Sequence, residues 1–178
     1  MKLEADARIR FPRELVYRTY RDRLPELVPH LPNVKAIKVQ RREEDAGRAG
    51  VTRLLNLWEA KGEIPKVAQG VLKPEMLAWL DHATWDQGAW TCDWRIETRM
   101  FTENVRCSGH NEFVEEGGET VLRIRGELEM TLKGIPGVPS FLAGTVTPHV
   151  EKFIVGLLTP NLLSVAGGVE RFLQAERT

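Results

Sequence analysis

Seventeen consecutive residues near the end of the chain, Phe153 to Val169, carry no charge, and charged pairs bracket them: Glu151–Lys152 before, Glu170–Arg171 after. A membrane span needs about 20 mostly apolar residues. This run holds Thr159, Pro160, Asn161, Ser164 and three glycines, so it reads as too polar to span and better suited to a buried helix. At about 100° per residue, Val150, Phe153, Ile154, Leu157, Val165 and Phe172 share one broad apolar arc, with Lys152, Glu170 and Gln174 opposite. Thr147 followed by Pro148 is a start signal, a capping hydroxyl with proline at the first helical position. Pro160 predicts a kink, because its ring meets the carbonyl of Gly156. A long apolar helix within Ser140 to Glu176 needs a broad surface to lie on.

Strands provide that surface. Leu3, Ala5, Ala7, Ile9 and Phe11 alternate with Lys2, Glu4, Asp6, Arg8 and Arg10, a strand with one wet face. Pro12 ends it and opens a helix carrying Leu15, Val16 and Tyr20, and a second short helix fits Pro25 to Leu31. Val34 to Arg41 and Val51 to Ala60 read as strands around a charged turn, Arg42 to Gly50. The strand at 51–60 carries apolar residues on both faces, so its inward side stays open. Gly62 to Pro74 is an irregular crossing with one helical turn near Lys66 to Val71.

From Glu75 the chain reads as an antiparallel meander. Glu116-Gly117-Gly118-Glu119 is a two-residue hairpin turn, since paired glycines tolerate the positive φ such turns demand. Pairing Glu116 with Glu119 sets Glu112 opposite Arg123 and Arg106 opposite Glu129, on a charged outer face. The other face then carries Val105, Cys107, Gly109, Asn111 and Phe113 against Met130, Leu128, Gly126, Ile124 and Leu122. Before this hairpin, Asp86-Gln87-Gly88-Ala89 is a turn signal. With Trp85 facing Trp90, Asp81 faces Trp94, Trp79 faces Ile96, and His82 sits outside opposite Asp93. A bulge at Gly88 would reverse the faces of strand 76–85, so Asp81 and His82 compete for the inner position.

The order of strand, two short helices, six strands and a long C-terminal helix resembles the START/Bet v1-like (SRPBCC) superfamily. Ile64-Pro65-Lys66-Val67, Thr84-Trp85-Asp86, Val105-Arg106-Cys107-Ser108-Gly109, Gly126-Glu127 and Val150-Glu151-Lys152-Phe153-Ile154 look like an uncharacterised bacterial branch of it. The resemblance implies an α+β helix-grip fold: a curved seven-stranded antiparallel sheet wrapped around the C-terminal helix, one domain over residues 1–178. It further implies a cavity between sheet and helix for a lipid, sterol, polyketide or other hydrophobic molecule. Some members are cyclases or dehydratases and some relatives act on chaperones. No catalytic motif transfers.

The residues themselves carry little overt chemistry. There is no phosphate-cradling loop, HExxH, CxxC or GxSxG. Gly134 to Pro139 reads as the turn into the last helix. His30, His82, His110 and His149 lie far apart in sequence; His110 with Glu112 falls on the outer charged face, so no metal site is expected. Cys92 and Cys107 point inward on neighbouring strands, face to face if a turn centres between Arg99 and Met100, and read as packed thiols. The balance of 25 basic and 25 acidic residues argues against a nucleic-acid partner. The first residues carry no apolar signal segment, so the expected compartment is the cytoplasm.

The tryptophans are more informative. Trp79, Trp85, Trp90 and Trp94 fall within sixteen residues on the expected inner side, and Gly109 facing Gly126 leaves space in the sheet floor. These residues, with Asp81 and Asn111 as inward polar groups and Phe153 and Leu157 as a lid, make the candidate ligand site. No cofactor is called for. The expected function is binding or transport of a hydrophobic molecule. The enzyme alternative is a cyclase or dehydratase using Asp81 or His82 with Arg53 or Glu59. A third reading is a protein-interaction or co-chaperone-like module, or a homodimer, docking through helix residues Leu158, Leu162 and Leu173.

Overall fold

In the computed structural model of the chain, which describes residues 1–64, 73–99, 102–130 and 140–177, the N-terminal alternation forms strand β1, Lys2–Ile9. Pro12 caps helix α1, Arg13–Asp22, and a 3-10 helix follows at Leu24–His30. Strands β2, Val34–Glu44, and β3, Val51–Ala60, form the next hairpin. After a 3-10 turn at Pro74–Leu77 come β4, Ala78–Asp86, β5, Thr91–Thr98, β6, Val105–Glu116, and β7, Glu119–Met130. Helix α2 spans Ser140–Glu176. The sheet is antiparallel in the order β1-β7-β6-β5-β4-β3-β2. The helical turn expected near 66–71 and the turn at 134–139 lie outside the described residues.

The β6–β7 register is the one the sequence predicts, from Glu116 with Glu119 at the turn to Val105 with Met130. Gly117 and Gly118 both adopt positive φ, 62° and 82°, which matches the right-handed strand twist in a two-residue turn. Arg123 meets Glu112 at 3.5 Å on the outer face, while Cys107, Asn111, Phe113, Leu122, Ile124 and Leu128 are buried.

The β4–β5 register departs from expectation by two residues. Asp86 pairs with Thr91, Trp85 with Cys92, Ala83 with Trp94, Asp81 with Ile96 and His82 with Arg95. The connection is a four-residue turn, Gln87 to Trp90, in which Asp86 Oδ1 accepts from the Ala89 N–H at 3.0 Å. Trp90 sits at φ 58° there, a region bulky residues seldom adopt. Because the shift is even, the faces are unchanged and Asp81 still points inward. The thiols are also displaced, Cys92 pairing with Asn111 and Ile96 with Cys107; both are buried and free.

Helix α2 begins a full two turns before the predicted start at Thr147, so Pro148 and Pro160 both lie inside it. Each costs a hydrogen bond to the carbonyl four residues back, at Gly144 and Gly156. All four residues are exposed, so water can satisfy the freed carbonyls. Val150, Ile154, Leu158, Val165, Val169 and Leu173 are buried. Arg10–Glu170 and Arg23–Glu176 ion pairs, 2.9 and 2.7 Å, and Arg171 donating to the His30 carbonyl at 2.7 Å tie down its C-terminal half. By length and composition Thr147–Glu176 is apolar enough to cross a bilayer, so its scattered polar residues do not exclude a span as the sequence argument held. In this fold the segment packs against β1, β7 and the first two helices.

Candidate functional site

Strand alternation decides which side chains reach the space under α2. On β3 the inward set is Thr52, Leu54, Asn56, Trp58 and Ala60, all buried. Arg53 and Glu59 therefore point outward, Arg53 to Asp45 and Glu59 to Lys38 and Lys35. They are unavailable to an inner acid–base site. His82 is outside too, 2.9 Å from Glu97. His110 is exposed and bonded to Asp93 at 2.7 Å.

Between the sheet and α2 lies a cavity of about 20 Å³, lined by Tyr20, Trp58, Trp79, Trp85 and Trp94, by Asp81, Asn111 and Asn161, and by apolar residues including Leu162 and Val165. It has room for about one water molecule. Of the residues expected to line a pocket, Trp79, Asp81, Trp85, Trp94 and Asn111 come together here. Trp90 does not. At its turn it packs edge-on against Tyr17, ring centroids 5.3 Å apart, under the Arg13 guanidinium at 4.5 Å.

Gly109 and Gly126 face inward, as expected, but the space above them is filled. A Cβ at Gly109 would come within 2.3 Å of the Trp94 ring, and one at Gly126 within 2.8 Å. The indole of Trp94 lies over both glycines and donates from Nε1 to Asn111 Oδ1 at 2.9 Å. The glycines are thus the bed of an aromatic ring, which explains two adjacent residues without side chains in a sheet floor.

Phe153 and Leu157 do not border the tryptophan cavity. They line an open cleft of about 440 Å³ with Lys61, Gly62, Glu63, Leu77, His149, Lys152 and Gly156. Asn161 continues the same helix face one turn on and does border the cavity. Cleft and cavity share no lining residue and lie one helical turn apart along α2.

Among the described residues, Asp81 is the one acid on the cavity wall. Asn56 Nδ2 donates to its Oδ2 at 3.1 Å, across the β3–β4 pair that sets these residues opposite each other. Burial pushes its pKa up to about 6, against the opposing influence of the Asn56 amide, the Trp58 indole and His82. The Trp58 N–H favours the charged carboxyl by its proximity, without the geometry of a hydrogen bond. Asp81 keeps partial accessibility because it borders the cavity, yet protein surrounds its carboxyl, and desolvation of the charged form prevails. Burial likewise pushes the Cys107 thiol up to about 12 and Cys92 upward, so neither is a ready nucleophile. Among the described residues, no cluster of His, Cys, Asp and Glu could hold a metal ion.

Sequence reasoning missed Trp58, Asn56, Tyr20 and Asn161. Trp58 stacks on Trp79, centroids 5.7 Å apart and planes 17° from parallel. Its direction was hidden because Leu54, Leu55 and Leu57 spread apolar residues over both faces of β3. Asn161 entered the sequence reading only as one of the polar residues of the uncharged run; its Nδ2 donates to the Leu157 carbonyl at 2.7 Å.

A seven-stranded antiparallel sheet closed over by a long C-terminal helix, with two short helices after the first strand, is a Bet v1-like helix-grip fold. The chain is similar in structure to TTHA0849 from Thermus thermophilus, at 24% identity and TM-score 0.67 over the full length of both chains. It is similar to the Zhui aromatase/cyclase from Streptomyces sp. R1128, at 16% identity and TM-score 0.62 over 99% of this chain and 97% of that one. Ara h 8.0201 also aligns, at 16% identity and TM-score 0.55 over 98% of each chain. At these identities the likeness is one of fold. No family model and no curated protein sequence matches the chain.

Proposed function

We propose that the chain binds a hydrophobic small molecule, lipid, sterol or polyketide-like in character, between α2 and the inner face of the sheet. The observation that carries this reading is the cavity wall, five aromatic rings around one carboxyl group. Apolar ligand sites are built this way, with a few placed polar groups among aromatic side chains. Drug-sized ligands occupy roughly 300–1,000 Å³, far more than the 20 Å³ here. Binding therefore requires α2 to yield. Its C-terminal half is held by Arg10, Arg23 and the His30 carbonyl. The helix residues on the cavity wall, Asn161, Leu162 and Val165, follow Pro160 directly, and the helix yields at this proline, where a backbone hydrogen bond is already missing.

A second reading, cyclase or dehydratase chemistry, is favoured by Asp81, whose pKa near 6 suits a general acid or base near neutrality. The fold shared with an aromatase/cyclase is compatible with it. Catalysis usually needs several convergent groups, and Arg53, Glu59 and His82 all point away. Binding is therefore the primary reading. The interaction-module reading loses its basis, since Leu158 and Leu173 are buried and Leu162 borders the cavity.

The test is titration of the protein with fatty acids, sterols and flat polyaromatics, read by tryptophan fluorescence and native mass spectrometry. Saturable one-to-one binding that quenches the tryptophans is expected. Silence across the panel would overturn the proposal.

A further inference from the structure

Asp81 has no counter-ion on the cavity wall: among the described residues, no Lys, Arg or His borders that space. Its Oδ2 accepts from Asn56. Its Oδ1 has no hydrogen bond among the described residues, and it is not sealed off as the side-chain oxygens of Asn56 and Asn161 are. The Trp58 N–H lies close to the carboxyl without the geometry of a hydrogen bond. His82, the neighbouring base, points away to Glu97. Tyr20 and Cys92 share the wall, and burial pushes both titrations upward, so both are neutral. With a pKa of about 6, the Asp81 carboxyl is ionised at pH 7. A carboxylate walled in by protein is ordinarily paired with a cation and fully hydrogen-bonded. This one has a single amide, in the space assigned to the ligand.

We propose that the cavity is a cation subsite: the buried end of the ligand is a protonated amine, held by the free oxygen of Asp81 among the indole rings. This rests on the ligand-binding reading above and narrows it to hydrophobic amines. The carboxylate offers an ammonium group a charge-assisted hydrogen bond, stronger here than in water because the surroundings are apolar. Trp58, Trp79, Trp85 and Trp94 border the same space, and indole is the side chain that attracts cations most strongly. Size agrees as well. A cavity of about 20 Å³ takes one water-sized group, and an ammonium head is such a group. The apolar remainder of the ligand occupies the room that α2 yields at Pro160. An anionic end would be repelled by Asp81, and a hydrocarbon end would leave the carboxylate unpaired.

Three probes of one shape separate the chemistries: 1-naphthylmethylamine, 1-naphthalenemethanol and 1-ethylnaphthalene, which differ only in a terminal ammonium, hydroxyl or methyl group. Each is titrated by calorimetry at pH 7 into the intact protein and into Asp81→Asn, which keeps the shape of the side chain and removes its charge. The amine should bind the unmodified protein at least about tenfold tighter than the alcohol or the hydrocarbon, the factor a hydrogen bond to a charged group supplies. In Asp81→Asn the amine should lose at least about tenfold in affinity and the hydrocarbon should not. Equal affinity for amine and hydrocarbon, or for amine and alcohol, would overturn the cation subsite and leave ligand binding standing. Amine binding undiminished in Asp81→Asn would overturn it too, by placing the amine on an acid elsewhere. Silence of all three probes together with the wider panel would overturn both proposals. The comparison among probes uses unmodified protein, so it does not depend on the variant folding.

Discussion

The buried position of Asp81 makes the stability of the fold depend on pH. Its folded pKa of about 6 lies above the ordinary 3.8, so between those values the folded state holds more proton than the unfolded state. The contribution to stability is then fully present below about pH 4 and is lost as pH rises through about 6. Asp81→Asn removes the ionisation, so it should stabilise the protein at pH 7 by on the order of 1–3 kcal/mol and leave stability at pH 4 nearly unchanged. Urea denaturation at both pH values checks this; an equal loss at both would show that Asp81 acts only as a packing and hydrogen-bonding group. His82→Ala should be nearly silent, below about 1 kcal/mol, because the His82–Glu97 pair is partly solvated on the outer face. The sequence left Asp81 and His82 competing for the inner position, and the even two-residue shift of the β4–β5 pairing decides it for Asp81. Its partner Asn56 was not legible, since a strand with leucines on both faces has no parity to read.

Among the elements, the β6–β7 hairpin was legible to the residue. A diglycine turn and complementary charges made two independent statements of one register. The β4–β5 hairpin was legible only in its faces. Gln87-Gly88 suggested a two-residue turn, whereas the Asp86 side chain holds a four-residue one, and the tryptophan at its end is steadied by Tyr17 and Arg13 from another element. Tertiary support of that kind leaves no local mark. The glycine floor is the instructive case: the sequence showed two missing side chains but could not show that Trp94 lies over them. Gly126→Leu should therefore destabilise by about 1–3 kcal/mol through overpacking, since a Cβ there already meets the Trp94 ring at 2.8 Å and the Ser108 carbonyl at 2.9 Å. Paired with Trp94→Leu, part of that loss should be recovered in a double-mutant cycle. Strict additivity of the two losses would contradict the stacking account.

For the whole molecule, the architecture followed from one uncharged helix and a run of alternating strands, because an apolar arc of that length has few surfaces to lie on. The state of the cavity did not follow. Whether a tryptophan-lined space is open depends on rotamers and on how closely α2 approaches, and sequence pattern reports neither. The space between sheet and α2 has room for about one water molecule, and a separate cleft opens beside Phe153 and Leu157. Leu162→Ala, at a partly buried cavity residue, should widen the space and raise affinity for bulky ligands, at a cost of roughly 2–3 kcal/mol in stability. Thermal melts alongside binding titrations check both halves; lost stability with unchanged affinity would mean that the space is core and nothing more.

The central claim is that ligands bind between α2 and the sheet, and photo-crosslinking with a diazirine-bearing naphthyl amine locates them directly. The account predicts adducts on the α2 peptide containing Leu162 and Val165 and on the strands carrying Trp58 and Trp79, suppressed by excess 1-naphthylmethylamine. Adducts confined to the outer face of the sheet, or labelling that excess ligand does not suppress, would contradict it.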